Sequence, residues 1–188
     1  MVEITAVHVA KLCELCGENL VTVPLLQGFV ESPDSILRVF RRYSLTIDDS
    51  TTVDQRIVDY RRYHTSRDIN SRFFPVSGSG RRGISLVLVH LNPRVTFEQA
   101  LEEIKKLDLR PATIHELLAF GVAFPKDAWR FVLIALGSLI TSSNGVKAAP
   151  SFYWYSYEFD EPNTQFVDFL GSTSNCCAEK VRFLAVAE

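Results

Sequence analysis

Long apolar runs are missing from this 188-residue chain; none approaches the roughly 20 residues that a membrane-spanning helix needs. Charge of one sign is missing too. Twenty Lys and Arg against 22 Asp and Glu leave a formal charge of −2, with no overall pull toward nucleic acid or acidic lipid. The opening Met1-Val2-Glu3-Ile4 lacks the basic start and long apolar region of a secretory signal, and there are four cysteines. Reduced thiols in a cytoplasm are therefore expected. Internal repeats are absent, which excludes solenoids and propellers. No serine sits in a nucleophile-elbow context, and Gly78-Ser79-Gly80 is no phosphate loop. No reaction class is named by these residues.

What is present is ordinary globular material. The chain is 47% apolar and 22% charged, long enough for one full core or for a core with a modest appendage. The most readable stretch is Leu109-Arg110-Pro111-Ala112-Thr113-Ile114-His115-Glu116-Leu117-Leu118. Thr113 and Glu116 form a Thr-x-x-Glu capping box: the threonine oxygen caps a helical N–H and the carboxylate reaches back to the Thr113 N–H. Leu117, Leu118 and Phe120 supply the apolar face, and Gly121 and Pro125 weaken and end the helix. The residue before a proline is biased toward extended geometry, so Arg110 is not helical. Just upstream, Thr96 and Gln99 make a second box, followed by Ala100, Leu101, Ile104 and Leu107 at helical spacing. Helices are expected near 97–107 and 114–123, joined by a short extended corner.

The chain divides into a mainly helical segment 1–76, a hinge or hairpin 77–83 rich in Gly and Ser, and an α+β domain 84–188. In the first part a helix is expected from about Glu3 to Cys16. Val21 to Val30 holds Pro24 and Gly28 and reads as a short strand or packed loop. Ser32-Pro33-Asp34-Ser35 reads as a helix start, with Ile36, Leu37, Val39 and Phe40 following, and Val53 to Tyr63 as another helix with Ile57, Val58 and Tyr60 on its buried side. In the second part, Ile84 to Leu91 is almost continuously apolar and β-branched, as suits a strand covered on both faces. Further apolar runs lie at Arg130 to Leu136, Phe152 to Phe159, Gln165 to Leu170 and Val181 to Val186, with a turn at Ser143-Asn144-Gly145. One strand, two helices and then several strands exclude a doubly wound sheet. The expected fold class is α+β, with a mostly antiparallel sheet and two capped helices.

Residues 73–138 and the final strand resemble a group of bacterial proteins that has no established activity. The shared words are Phe74-Pro75-Val76, Leu88-Val89-His90-Leu91-Asn92, Leu109-Arg110-Pro111-Ala112-Thr113, Glu116-Leu117-Leu118-Ala119-Phe120-Gly121, Ala135-Leu136-Gly137-Ser138 and Arg182-Phe183-Leu184-Ala185-Val186. That group usually places a cysteine directly before the last of these, where this chain has Val181. More distantly, Arg110-Pro111-Ala112-Thr113-Ile114-His115-Glu116 is similar to the helix start of C-type-lectin-like domains of the formylglycine-generating-enzyme type. The resemblance implies a C-type-lectin-like arrangement of the last hundred or so residues; it implies no activity.

Several constellations have both a chemical and a structural reading. Cys13-x-x-Cys16 is half of a zinc or redox site, or two small residues on one helix face; Cys176-Cys177 are adjacent and awkward as joint ligands. Core packing is the favoured reading, and neither a metal nor any other cofactor is expected. Arg41-Arg42-Tyr43 and Arg61-Arg62-Tyr63 interleave cations with aromatics, a pattern able to hold phosphate and stack on bases, although Asp48, Asp49, Asp54, Asp59 and Asp68 are near enough to neutralise them. In the aromatic run, Phe152, Trp154, Ser156 and Glu158 share one strand face and Tyr153, Tyr155, Tyr157 and Phe159 the other. The second face suits the core; Trp154 and Glu158 then face outward as an anchor for a partner, with Asn144 and Asn163 in the flanking loops, or Trp154 is a half-buried sheet residue, the slightly favoured reading. The expected function is non-catalytic recognition of a protein or small ligand through these loops and this strand. The alternative is nucleic-acid binding through the two Arg-Arg-Tyr elements.

Overall fold

The structure is a computed structural model that describes residues 38–59, 63–76, 78–91, 95–141, 145–155, 164–171 and 180–187, with the side chains of 38–41, 63, 154, 155, 164 and 165 outside the description. The described elements, in chain order, are β1 (Arg38–Asp48), α1 (Val53–Asp59), β2 (Tyr63–Thr65), β3 (Arg81–His90), α2 (Phe97–Lys106), β4 (Leu109–Pro111), α3 (Ile114–Ala123) and α4 (Pro125–Ala128). These are followed by β5 (Val132–Ile134), a 3-10 turn (Leu136–Ser138), β6 (Ile140–Thr141), β7 (Lys147–Tyr155), β8 (Thr164–Gly171) and β9 (Val181–Ala187). The α+β class expected from the sequence is what the chain adopts.

All the described strands join one mixed sheet in the order β1-β3-β9-β5-β7-β8-β2, with β4 on β9 and β6 on β7. Most pairings are antiparallel; β2 on β8 and β5 on β9 are parallel. β9, third in that order, takes β3 along one side and β5 and then β4 along the other.

A two-residue period along β3 divides the core. Leu86 and Leu88 enter one apolar cluster with Leu184, Val186 and the α3 residues Ile114, Leu117, Leu118 and Phe120. Val87 and Val89 point the other way, into a second cluster with Phe183, Ala185 and the α2 residues Phe97, Ala100 and Ile104. A strand lined by apolar side chains on both faces is thus sandwiched between two helices. Each fully buried Leu or Ile contributes about 1.5–3 kcal/mol relative to leaving it exposed.

Both helices start as their capping boxes require. At α2 the Gln99 N–H donates to Thr96 Oγ1 at 3.2 Å, and the Thr96 N–H donates to Gln99 Oε1 at 2.8 Å. At α3 the Thr113 N–H donates to Glu116 Oε2 at 2.8 Å. A distant residue completes that second cap: the Ile114 N–H donates to Ser138 Oγ at 2.9 Å. Between the helices Asp108 takes φ 58°, the left-handed region that Asp and Asn tolerate, and turns the chain into the extended Leu109–Pro111.

The first part of the chain departs from its reading. The helix expected after Ser32-Pro33-Asp34-Ser35 is replaced, from Arg38 onward, by β1, which pairs with β3 along Arg38↔His90 to Asp48↔Arg81. Tyr43, Leu45 and Ile47 alternate with Arg42, Ser44, Thr46 and Asp48, and this period of two prevails over the start signal before it. The helix expected over Val53 to Tyr63 is present as Val53–Asp59, but it buries Val53 and Arg56, leaves Ile57 half-buried and leaves Val58 63% exposed. Residues 81–83, within the segment read as hinge or hairpin, are the first of β3. The readings at 3–16, 21–30 and 32–37, Tyr60 and all four cysteines lie outside the described residues.

Candidate binding site

The register of β1, β3 and β9 builds a surface from residues far apart in sequence. Directly opposed residues share a sheet face. Arg42 is opposite Val87, Ser44 opposite Ser85, Thr46 opposite Gly83, and Ser85 in turn opposite Ala187. Val87 and Val89 on that face are buried with the α2 residues, whereas Arg42, Ser44, Thr46 and Gly83 are exposed. The bare end of the sheet is a concave groove of about 860 Å³ whose floor carries three hydroxyls and only small side chains. A Cβ added at Gly83 would meet nothing within 4 Å, so the floor is open there. The alternate residues Leu45, Ile84 and Val186 turn their side chains to the core on the other face, and Arg82 and Arg110, opposite Ile47 and Val186, share that other face, so Arg42 is the guanidinium set beside the floor.

Two of the three arginines are held by one carboxylate. Glu116 has no exposed surface. Its Oε1 accepts from Arg110 Nη2 at 2.6 Å and from Arg82 Nη2 at 3.1 Å, and its Oε2 accepts from Arg110 Nη1 at 2.9 Å and from the Thr113 N–H at 2.8 Å. The Arg110 contact is therefore bidentate, the geometry that a planar guanidinium offers a carboxylate. Burial alone raises the Glu116 carboxyl, but the hydrogen bonds from Arg110, Thr113 and Arg82 outweigh it and hold the group below its ordinary value. Arg82 also donates from Nε to Asp49 Oδ2 at 2.7 Å, and its guanidinium is held above its ordinary value by that bond first, against burial, with Glu116 adding to it. Arg42 differs: it is exposed and has no hydrogen bond or ion pair with any described residue.

Segments distant in sequence meet around this cluster. Arg110 in β4 pairs with Val186 of β9, and the Gly137 N–H donates to the Ala112 carbonyl at 2.8 Å. A Cβ at Gly137 would lie 2.7 Å from the Ala112 oxygen and 2.8 Å from the Pro111 oxygen, so only glycine fits there. Nearby, His115 hydrogen-bonds the Pro75 carbonyl, and its buried Nε2 has no partner among the described residues. Burial pushes its imidazole below the ordinary value, only partly offset by the Pro75 bond.

The expected site residues are dispersed. Arg41 lies in β1 at the register shift between Phe40 and Arg42, and Arg42 reaches the groove. Tyr43 was expected to stack on a base, but it is 5% exposed and packs edge-on against Phe120 and Phe124, with ring centroids 4.9 Å away in each case. Its place in the β1 alternation sends it to the core. Tyr63 is in β2, at the opposite end of the strand order from β1, so the two Arg-Arg-Tyr elements are not neighbouring strands. The acidic residues near them find other partners: Asp48 pairs with Arg81 and Asp49 with Arg82.

Trp154 lies on β7 opposite Gln165. The faces of that strand are the reverse of those expected at the two positions whose side chains are described. Phe152 is fully buried in the core, while Tyr153 is half-buried, stacks on Phe166 at 5.6 Å and donates to Asp168. Glu158, Asn144, Asn163, Arg61 and Arg62 lie outside the described residues. Among the described residues no three His, Cys, Asp or Glu side chains group as metal ligands, and no helix is long and apolar enough to cross a membrane.

Sequence reading missed Ser44 and Thr46 as surface partners of Arg42, and Arg82 and Arg110 as the cations held by Glu116, which it saw only as a cap. The alternation Arg42 to Asp48 was the available signal for the first two. The others depend on contacts between strands that no local pattern announces. Comparison of the chain with protein-family models, curated proteins and solved structures gave no match.

Proposed function

We propose that this chain is a non-catalytic binding module whose ligand occupies the groove at the bare end of the sheet. The observation that carries this reading is one sheet face that sets the exposed Arg42 beside the hydroxyls of Ser44, Thr46 and Ser85. Arginine stays protonated at every ordinary pH, so it orients and attracts but does not exchange protons. The hydroxyls donate and accept without a neighbouring base among the lining residues.

A lectin-like arrangement of 84–188, a second contact region around Trp154, Glu158, Asn144 and Asn163, and a cytoplasmic location belong to the same proposal. For the nucleic-acid alternative Arg42 is an exposed cation, and the burial of Tyr43 takes away one stacking partner; Arg61, Arg62 and the side chains of Arg41 and Tyr63 lie outside the described residues. A small-fragment screen read by amide NMR tests the reading. Shifts gathered at residues 42–46 and 82–85 are expected. Hits that gather elsewhere and leave these amides unmoved would refute it.

A further inference from the structure

We propose that the ligand of this groove carries an oxyanion, a phosphate ester or a carboxylate, seated against the Arg42 guanidinium with Ser44, Thr46 and Ser85 as hydroxyl donors. This rests on the groove being the binding site and adds the chemistry of what it takes. No Asp or Glu lines the groove. Arg82 and Arg110 are paired with Asp49 and Glu116, and both turn to Glu116 on the other face of the sheet. One positive charge, that of Arg42, is left without a protein counterpart among the described residues.

The surroundings fit an anion better than a cation or a neutral ring. A cation would meet the Arg42 guanidinium and no carboxylate among the lining residues. An aromatic base would find no aromatic side chain among the lining residues. A planar guanidinium binds carboxylate and phosphate oxygens through paired N–H donors, and nearby hydroxyls can donate to the remaining lone pairs. With no Cβ at Gly83 and only Ala187 beyond Ser85, nothing large stands between a ligand and the strand backbone.

Amide NMR titration of the full chain with inorganic phosphate, with citrate and with glycerol separates the outcomes. Saturable shifts at residues 44–46 and 83–85 with phosphate or citrate are expected, and which of the two binds tells phosphate from carboxylate. R42A is expected to weaken that binding about tenfold or more, with R42K intermediate. R81A removes an exposed arginine paired with Asp48 outside the groove and is expected to change nothing. Glycerol binding there with both anions silent would overturn the anion assignment and leave the groove reading standing. Silence from all three probes at these residues would overturn both, and equal weakening by R81A and R42A would reduce the effect to general charge.

Discussion

Glu116 does two jobs with one carboxylate. It closes the cap of α3 and it clamps Arg82 and Arg110 behind the groove. Removing its charge leaves two guanidinium groups without their shared partner, so Glu116→Gln is expected to cost about 3 kcal/mol of stability in chemical denaturation. Its pH signature has a definite sign. A carboxylate held below its ordinary value of 4.5 contributes stability that is fully present above that value and is lost as pH falls through the lowered one. The acid side of the stability profile should therefore be shallower below 4.5 in Glu116→Gln than in the natural chain. His115 acts higher in pH. Its imidazole is held neutral by burial, below the ordinary 6.5, so its contribution is complete above 6.5 and erodes as pH drops below it. His115→Asn should flatten that part of the curve; an unchanged slope there would show that the imidazole does not titrate with unfolding.

Among the elements, the two helices were legible because their signals are local. Thr96 with Gln99, and Thr113 with Glu116, state the start of each helix within four residues. Thr96→Ala should cost about 1 kcal/mol. The other half of the α3 cap, Ser138, was not legible, because it comes from a turn 24 residues downstream. Ser138→Ala strips the Ile114 N–H of its partner and should cost about 1–2 kcal/mol. Gly137→Ala drives a methyl into two backbone oxygens and should cost about 1–3 kcal/mol. Thermal melts of both variants check these values; a neutral Gly137→Ala would mean that the chain at Pro111 and Ala112 can give way. The first strand was misread for a different reason. A Ser-Pro-Asp-Ser helix start precedes it, and the period-two pattern that decides the matter begins only at Arg42.

At the scale of the molecule, one sheet joins residues on both sides of the Gly- and Ser-rich segment, since β1 pairs with β3 throughout its length. The central position of β3 and β9, covered by α3 on one face and α2 on the other, predicts the slowest amide exchange at residues 86–89 and 183–186. Fast exchange there, with slow exchange in β2 at the end of the order, would contradict this layering. The strand at Ile84 to Leu91 was readable as doubly covered from its unbroken apolar run. The groove was not readable, because it exists only once three strands are set in register. Its tie to function is best tested by a crystal structure grown with inorganic phosphate or citrate. The account predicts an anion within hydrogen-bond distance of Arg42 and of at least one of Ser44, Thr46 and Ser85. An anion bound elsewhere, with solvent alone beside Arg42 and the three hydroxyls, would contradict it.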